Sequence, residues 1–438
     1  MGRRPRAAIA IALLLASACG AERAALVELV PESRGDGMCV WAFGDGEQVF
    51  AERYPTERGA MAPPEGSLTF VAGPRVSREV VVGARVLRGG AVVGEARARI
   101  PFTDGVTERT LRVARCAPFD PGPALPLEAA GALGAGDVTA MIAGDVDGDG
   151  RDELIGVAAD GALHVLHLDA PGAVSEAAFA APAGARLGAL ADLDGDCALD
   201  GVLVGDETRL IDAIGVAPSS SGALPSARDA AVGAPTGLPA LVRVDAEALT
   251  VAPTGAGAPR SVAGAFDHVA VDDLDGDGRD DVVASGAAGT RLFLGGDGAL
   301  TEREDALPAI VRGATGPLAL VDADGDGDVD LVTSLGLEAR LAVNRGDGLL
   351  ELRGGPIALD ADVTRAVAGD VDGDCADELV LVGADGSVVV ASFRDGALTA
   401  RAETWPTTLD AAIGDLDGDG LRELALLTPE GDVWWWRP

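Results

Sequence analysis

Asp145, Asp147, Asp149 and Glu153 stand at positions 1, 3, 5 and 9 of a nine-residue stretch, Asp145-Val-Asp-Gly-Asp-Gly-Arg-Asp-Glu153. The same spacing returns five more times, as Asp192, Asp194, Asp196 and Asp200; Asp273, Asp275, Asp277 and Asp281; Asp322, Asp324, Asp326 and Asp330; Asp370, Asp372, Asp374 and Glu378; and Asp415, Asp417, Asp419 and Glu423. Hard oxygens at this density suit Ca²⁺, which takes about six to eight oxygen ligands in adaptable geometry, and position 7 can add a backbone carbonyl. Glycines let the backbone fold around an ion through dihedrals closed to other residues. Without a cation the carboxylates repel one another. An acid at position 9 in all six copies separates the pattern from merely solvated acidic turns.

An EF-hand begins with similar spacing, but it needs a bidentate Glu at position 12 and flanking helices. Position 12 here is Gly156, Leu203, Ala284, Thr333, Leu381 and Leu426, and the flanks are apolar strand formers. The loops therefore join strands.

The elements that position these acids repeat with them. The first Asp of successive loops falls at 145, 192, 273, 322, 370 and 415, at intervals of 47, 81, 49, 48 and 45 residues. Within the long interval, Leu241–Asp245 and Ala248–Val251 read as two strands flanking a deleted loop, which makes seven units, one of them degenerate. Each full unit runs strand, acidic loop, strand, Asp-Gly turn, strand, as in Ala366–Asp370, Glu378–Val382, Asp385-Gly386 and Ser387–Phe393. A second turn such as Asp395-Gly396 often leads to a fourth strand. Asp-Gly between apolar runs is a strong hairpin signal, and four strands in roughly 45 residues is the arithmetic of a β-propeller blade. The last unit stops after its third strand, at Val433-Trp-Trp-Trp436, so residues 125 to 133 are expected to supply the missing outer strand and close the ring. Seven blades are expected, with six as the alternative.

The Asp-x-Asp-Gly-Asp-x-x-x-[Asp/Glu] loops between strands resemble those of the FG-GAP/VCBS repeat proteins, whose propeller also forms the N-terminal head of integrin α subunits. The resemblance covers roughly residues 125 to 438 and implies one Ca²⁺ in each loop, about six in all. Phe-Gly and Gly-Ala-Pro motifs are mostly absent, so the likeness is to the bacterial VCBS type rather than the integrin branch. Calcium in such loops reads as structural.

Before the repeats, four prolines between Pro118 and Pro126 break regular structure. The expected organisation is a signal peptide over 1–19, a small β-sandwich-like domain over 20–118, a Pro-rich linker over 119–126 and the propeller over 127–438. Ser67–Val71, Arg78–Val86, Ala91–Ile100 and Thr107–Val113 alternate with period two, which favours a small antiparallel sandwich. Arg3, Arg4 and Arg6 followed by the apolar Ala7–Leu15 form an export signal. Leu15-Ala-Ser-Ala-Cys19 resembles a lipobox, which would lipidate Cys19, although Ala16-x-Ala18 also suits ordinary signal peptidase. Either way an exported protein is expected, at the outer membrane or in the periplasm as a lipoprotein, or at the cell surface or secreted. Outside the cytoplasm cysteines can pair. Cys39 and Cys116 bracket one segment, and a bridge between them is expected among the three pairings that four cysteines allow. Cys197 and Cys375 each follow the third Asp of a loop, where the other four copies have Gly.

The formal charge of -36, from 34 basic and 70 acidic residues, argues against a nucleic-acid partner. The 48% apolar content belongs to a folded protein. Catalytic signals are thin. His164 and His167 should point to opposite faces of a strand, and no Gly-x-Ser-x-Gly, His-Glu-x-x-His or phosphate loop occurs. Arg345-Gly-Asp347 fills a hairpin turn where other units carry Gly-Asp-Gly, and one or more of Trp434, Trp435 and Trp436 should pack between blades. The reading is a calcium-stabilised, non-catalytic binding or adhesion scaffold at the bacterial envelope. It would face an unidentified protein or polysaccharide and meet the membrane only through an N-terminal lipid. The alternative is a polysaccharide lyase or hydrolase with its site in the propeller channel, which a cluster of Arg, His or Tyr side chains there would favour.

Overall fold

A computed structural model describes residues 9–10 and 23–437, apart from 34, 45–46, 56–65, 74–77, 90, 104, 114–124, 134–137, 148–150, 168–172, 183, 195–196, 213–218, 221–223, 237, 255–256, 395, 402–403 and 419–420. Two compact units emerge. The first is built on residues 1–117 and takes in 194–197, and the second holds most of residues 118–438.

The first unit pairs two four-stranded sheets. One runs in the order β1 (Ile9–Ala10), β5 (Gly66–Val71), β2 (Ala24–Pro31), β8 (Val106–Val113), and the other β4 (Glu47–Pro55), β3 (Gly37–Gly44), β6 (Glu79–Arg88), β7 (Ala91–Pro101). Ala25, Val27 and Leu29 of one sheet pack against Met38, Val40, Ala42, Val80, Val82, Ala84 and Val86 of the other, which makes a sandwich. It is not purely antiparallel. Strand β2 pairs β8 in parallel from Ala24↔Val106 to Pro31↔Val113, and β1 pairs β5 in parallel. The chain arrives at β8 from the opposite sheet, so no hairpin dictates its direction.

The second unit is all strand but for one short helix, α1 (Ala309–Arg312), among the described residues. After β9 (Leu125–Ala132) come seven four-stranded sheets. The first is β10–β13 (Val138–Gly144, Glu153–Ala158, Ala162–His167, Ala173–Ala180) and the second β14–β17 (Arg186–Ala191, Asp200–Val204, Arg209–Asp212, Ser219–Ser220). The third is β18–β21 (Asp229–Gly233, Ala240–Val244, Ala248–Pro253, Arg260–Ala263) and the fourth β22–β25 (His268–Asp272, Asp281–Ser285, Arg291–Leu294, Thr301–Glu302). The fifth is β26–β29 (Leu318–Val321, Asp330–Leu335, Glu338–Asn344, Leu350–Ala358) and the sixth β30–β33 (Val363–Gly369, Glu378–Gly383, Val388–Arg394, Ala397–Ala400). The seventh joins β34–β36 (Asp410–Gly414, Glu423–Leu427, Asp432–Arg437) to β9. Within each sheet neighbours are antiparallel. The first strand of each sheet packs against the first strand of the next, and β34 packs back on β10, so the sheets close into a β-propeller.

Apolar cores lie between successive sheets. Val242 and Val251 of the third meet Phe266, Val282 and Phe293 of the fourth, and Leu154 and Leu166 of the first meet Ala425 and Val433 of the seventh. Each second strand is therefore covered on both faces, which is why it reads as an unbroken apolar run and not as an alternation. Trp436 is buried edge-on against Trp405, with ring centroids 5.1 Å apart, as packing between blades requires. The degenerate unit is a complete sheet, but the two strands read as flanking its lost loop are the second and third, β19 and β20, joined by a tight turn at Asp245. The place of an acidic loop, between first and second strands, is taken by 234–239. The hydrophobic pattern of a strand pair does not say which pair it is. No helix among the described residues is long and apolar enough to cross a membrane.

Candidate functional site

All six acidic loops connect the first strand of a sheet to the second, and in all six the acid at position 9 is the first residue of that second strand. Because the strand is covered on both sides, the carboxylate is carried inside: Glu153, Asp200, Asp281, Asp330, Glu378 and Glu423 are all buried. Each folds back on its own loop and accepts the N–H of position 2. These bonds come from Val146 (3.0 Å), Leu193 (2.8 Å), Leu274 (2.9 Å), Ala323 (3.0 Å), Val371 (3.2 Å) and Leu416 (2.9 Å).

The loops 273–281, 322–330 and 370–378 are described throughout and share one conformation. The carboxylate at position 1 accepts the N–H of position 6, from Gly278 (2.8 Å), Gly327 (3.0 Å) and Cys375 (3.0 Å). The carboxylate at position 5 accepts the N–H of position 7, from Arg279, Asp328 and Ala376. Positions 4 and 6 both lie in the left-handed region, with φ of 72° and 88° at Gly276 and Gly278. Glycine enters that region without penalty. Cys197 and Cys375 occupy position 6 at φ 76° and 74°.

The arrangement gathers acidic side chains around one point in each loop. One oxygen from each of Asp273, Asp275 and Asp281 lies within 4.8 Å of the others, and the same holds for Asp322, Asp324 and Asp330, and for Asp192, Asp194 and Asp200. Burial, together with the acids at positions 1 and 3, pushes the Asp281 and Asp330 carboxyls up to about 7, against the opposing pull of backbone N–H groups. Burial and Asp372 likewise raise Glu378 to about 7. Hard carboxylate oxygens converging from positions 1, 3 and 9 are chemically suited to a hard divalent cation of the calcium type.

Of the expected ligands, Asp149, Asp196 and Asp419, all at position 5, lie outside the described residues, as do Cys19 and Cys116. The expected Cys39–Cys116 bridge does not form: Cys39 is bonded to Cys197 across 158 residues of sequence. Bracketing a segment says nothing about where its ends meet distant loops. Cys375 is also disulfide-bonded.

Three features escaped sequence reasoning. Position 2 is apolar in every copy, and the pattern was legible. Position 8 clips one loop to the sheet before it: Asp377 Oδ2 accepts Asp322 N–H at 2.8 Å while Asp377 N–H donates to Asp322 O, and Asp152 does the same to Asp415. Third, basic side chains reach some loops. His167 and His164 do not come together; instead His167 Nδ1 lies 3.5 Å from Glu153 Oε1 and 3.7 Å from Asp147 Oδ2. Arg401 meets Asp372 and Glu378, and Arg437 meets Glu423. Arg345-Gly-Asp347 is a turn, with Asn344 Oδ1 accepting from the N–H of Arg345, Gly346 and Gly348.

The model of the FG-GAP-like repeat matches residues 273–333 and 370–426. No curated protein shows significant similarity to the chain. Similar solved structures include BBS1N in complex with ARL6DN (14% identity, 71% of this chain and 94% of that chain, TM-score 0.47). Another is the WD40 β-propeller domain of Doa1 (11% identity, 71% and 96%, TM-score 0.49). A third is an Agrocybe aegerita lectin that recognises non-reducing terminal N-acetylglucosamine (18% identity, 59% and 79%, TM-score 0.42). The chain carries FG-GAP-like repeats, and the repeats are blades of a β-propeller.

Proposed function

We propose that this chain is an exported, non-catalytic binding scaffold whose acidic loops hold Ca²⁺ and whose propeller presents a surface to a protein or polysaccharide at the bacterial envelope. The observation that carries the calcium reading is the pair Asp281 and Asp330. Each is a buried carboxylate beside two further acids, and neither has an Arg or His within ion-pair distance among the described residues. A divalent cation supplies the missing charge, and positions 1, 3, 5 and 9 hold it. Export rests on the basic and apolar start of the chain and on its disulfides, which persist in oxidising compartments. Anchoring through a lipid on Cys19 and secretion after ordinary cleavage are separated by mass spectrometry of the mature N-terminus.

The test is calcium stoichiometry by equilibrium dialysis, together with thermal melts in calcium and in chelator. Bound calcium and a lower melt in chelator support the reading. No bound ion and an unchanged melt overturn it. Screens against glycans and envelope proteins, run in calcium, then test the binding role.

One observation favours a second reading, an enzyme acting on polysaccharides. His268 stands on the innermost strand of its sheet, and burial lowers its pKa, which favours the neutral imidazole. Asp229, Asp267, Arg186 and Arg365 also act on it electrostatically. Loss of a polysaccharide-cleaving activity in His268→Ala, with an unchanged melt, would establish this reading; absence of any such activity in the wild type removes it.

A further inference from the structure

The acidic loops differ in what faces them. In the seventh sheet Arg437, with a side chain only 4% exposed, donates from Nη1 to Glu423 Oε1 at 3.0 Å, and its Nη2 lies 3.7 Å from Asp417 Oδ2. Those acids hold positions 9 and 3. The other oxygen of Glu423 is taken by the Leu416 N–H. In the sixth sheet Arg401 Nη2 lies 2.7 Å from Asp372 Oδ2 and 3.3 Å from Glu378 Oε1, again positions 3 and 9. Its guanidinium is braced over the Trp436 ring at 5.5 Å. The two arginines come from different places, one closing the third strand β36 and the other following the fourth strand β33, yet they converge on the same two carboxylates. The fourth and fifth loops contrast with this. Their third strands close with Leu294 and Asn344, and positions 3 and 9 (Asp275, Asp281, Asp324 and Asp330) have no Arg or His within ion-pair distance among the described residues.

We propose that in the sixth and seventh loops a guanidinium takes the place of the divalent cation: Arg401 and Arg437 neutralise 370–378 and 415–423 from within, so these loops hold no calcium, while 273–281 and 322–330 do. This rests on the calcium reading of the loops given above. In 273–281 and 322–330 the carboxylates at positions 3 and 9 converge with position 1 within 4.8 Å, so an ion held there would draw on both. A guanidinium hydrogen-bonded to those same oxygens occupies their lone pairs and repels a second cation. Within a buried pair, removing the arginine leaves the acid uncompensated, and a cation then becomes the cheapest replacement.

The test counts calcium ions on the full chain by equilibrium dialysis, comparing single position-1 substitutions. Asp273→Asn and Asp322→Asn should each lose one ion, whereas Asp370→Asn and Asp415→Asn should lose none. Arg437→Gln should gain one ion and require calcium for its wild-type melt. Loss of an ion in Asp415→Asn overturns the proposal, as does a wild-type count in folded Arg437→Gln. Should Arg437→Gln not fold, the position-1 series decides alone. A wild type that holds no ion at all overturns the calcium reading itself, and shows as an equally silent Asp273→Asn.

Discussion

An aspartate placed as the first residue of a strand that is buried on both faces has few ways to be satisfied. Asp330 uses one oxygen for the Ala323 N–H and the other for the Asn344 N–H, and it still faces Asp322 and Asp324. Two outcomes follow from that placement. In millimolar calcium Asp330→Asn should lower stability by about 1.4 kcal/mol, the linkage value for a site with Kd near 0.1 mM. In chelator the difference should shrink or reverse, since Asn removes a repelled charge; paired urea melts in the two buffers read both numbers. The pH dependence has a definite sign. Burial, chiefly, pushes the carboxyls of Asp281, Asp330 and Glu378 up to about 7 and that of Glu153 up to about 8. Raised acids add stability that is full below the unfolded value, about 4, and is lost as pH climbs through the folded one. The chelated protein should therefore melt lower at pH 8.5 than at pH 5.5. Saturating calcium, which binds the ionised carboxylates of the loops that hold it, Asp281 and Asp330 among them, should reduce that slope. A chelated protein whose melting point rises steadily from pH 5.5 to 8.5 would contradict the burial of these acids.

At the scale of elements, turns do the registering. Asn344 ends β28 with both ends of its amide used. Its Oδ1 takes the N–H of Arg345, Gly346 and Gly348, while its Nδ2 donates to Val329 O at 3.0 Å and across to Leu274 O of the fourth sheet at 2.6 Å. With Gly346 at φ 80° and Gly348 at φ 73°, Arg345-Gly-Asp347 is committed to a tight turn. Asn344→Ala strands several buried backbone groups at once and should cost about 2 to 3 kcal/mol, measurable by denaturant unfolding, whereas Arg345→Ala, at the exposed rim, should cost well under 1 kcal/mol. Much of this scale was legible in the chain. Asp-Gly turns and apolar runs reveal hairpins because hairpins are local, and the acids at positions 1, 3, 5 and 9 reveal the loop because one chemistry needs them all. Whatever depends on distant chain stayed hidden. Nothing local to Val106–Val113 announces parallel pairing with Ala24–Pro31, nothing near Cys39 points to Cys197, and Arg437 looks like an ordinary terminal charge until β36 is laid beside β35. The third sheet was misplaced by one strand for the same reason: without its acidic loop, no residue marks which strand pair is which.

For the molecule as a whole, closure is the decisive step. A propeller made only of consecutive blades would leave the third strand of the last blade, Asp432–Arg437, as an open edge carrying Trp434, Trp435 and Trp436. An edge of that kind invites pairing with other chains. Here β9 covers it, with Trp435 opposite Glu128 and Trp434 opposite Ala129. This strand lies at the other end of the repeat region, so pairing it to β36 welds first blade to last. The weld carries a high entropic cost, because the whole ring must be in place before the two strands meet; once made, unfolding from either end must break it. Replacing Leu125–Ala132 by a Gly-Ser stretch of equal length keeps the chain connected but removes the strand propensity that favours this pairing. The expected outcome is a lower melting point, with dimers or larger species in light scattering, because the uncovered edge now pairs between molecules. A synthetic peptide of residues 125–133 added in trans should restore the monomer by strand addition. A replaced protein that stays monomeric and melts like the wild type would show that the ring is held by its apolar cores alone, and that the shared seventh blade adds no stability.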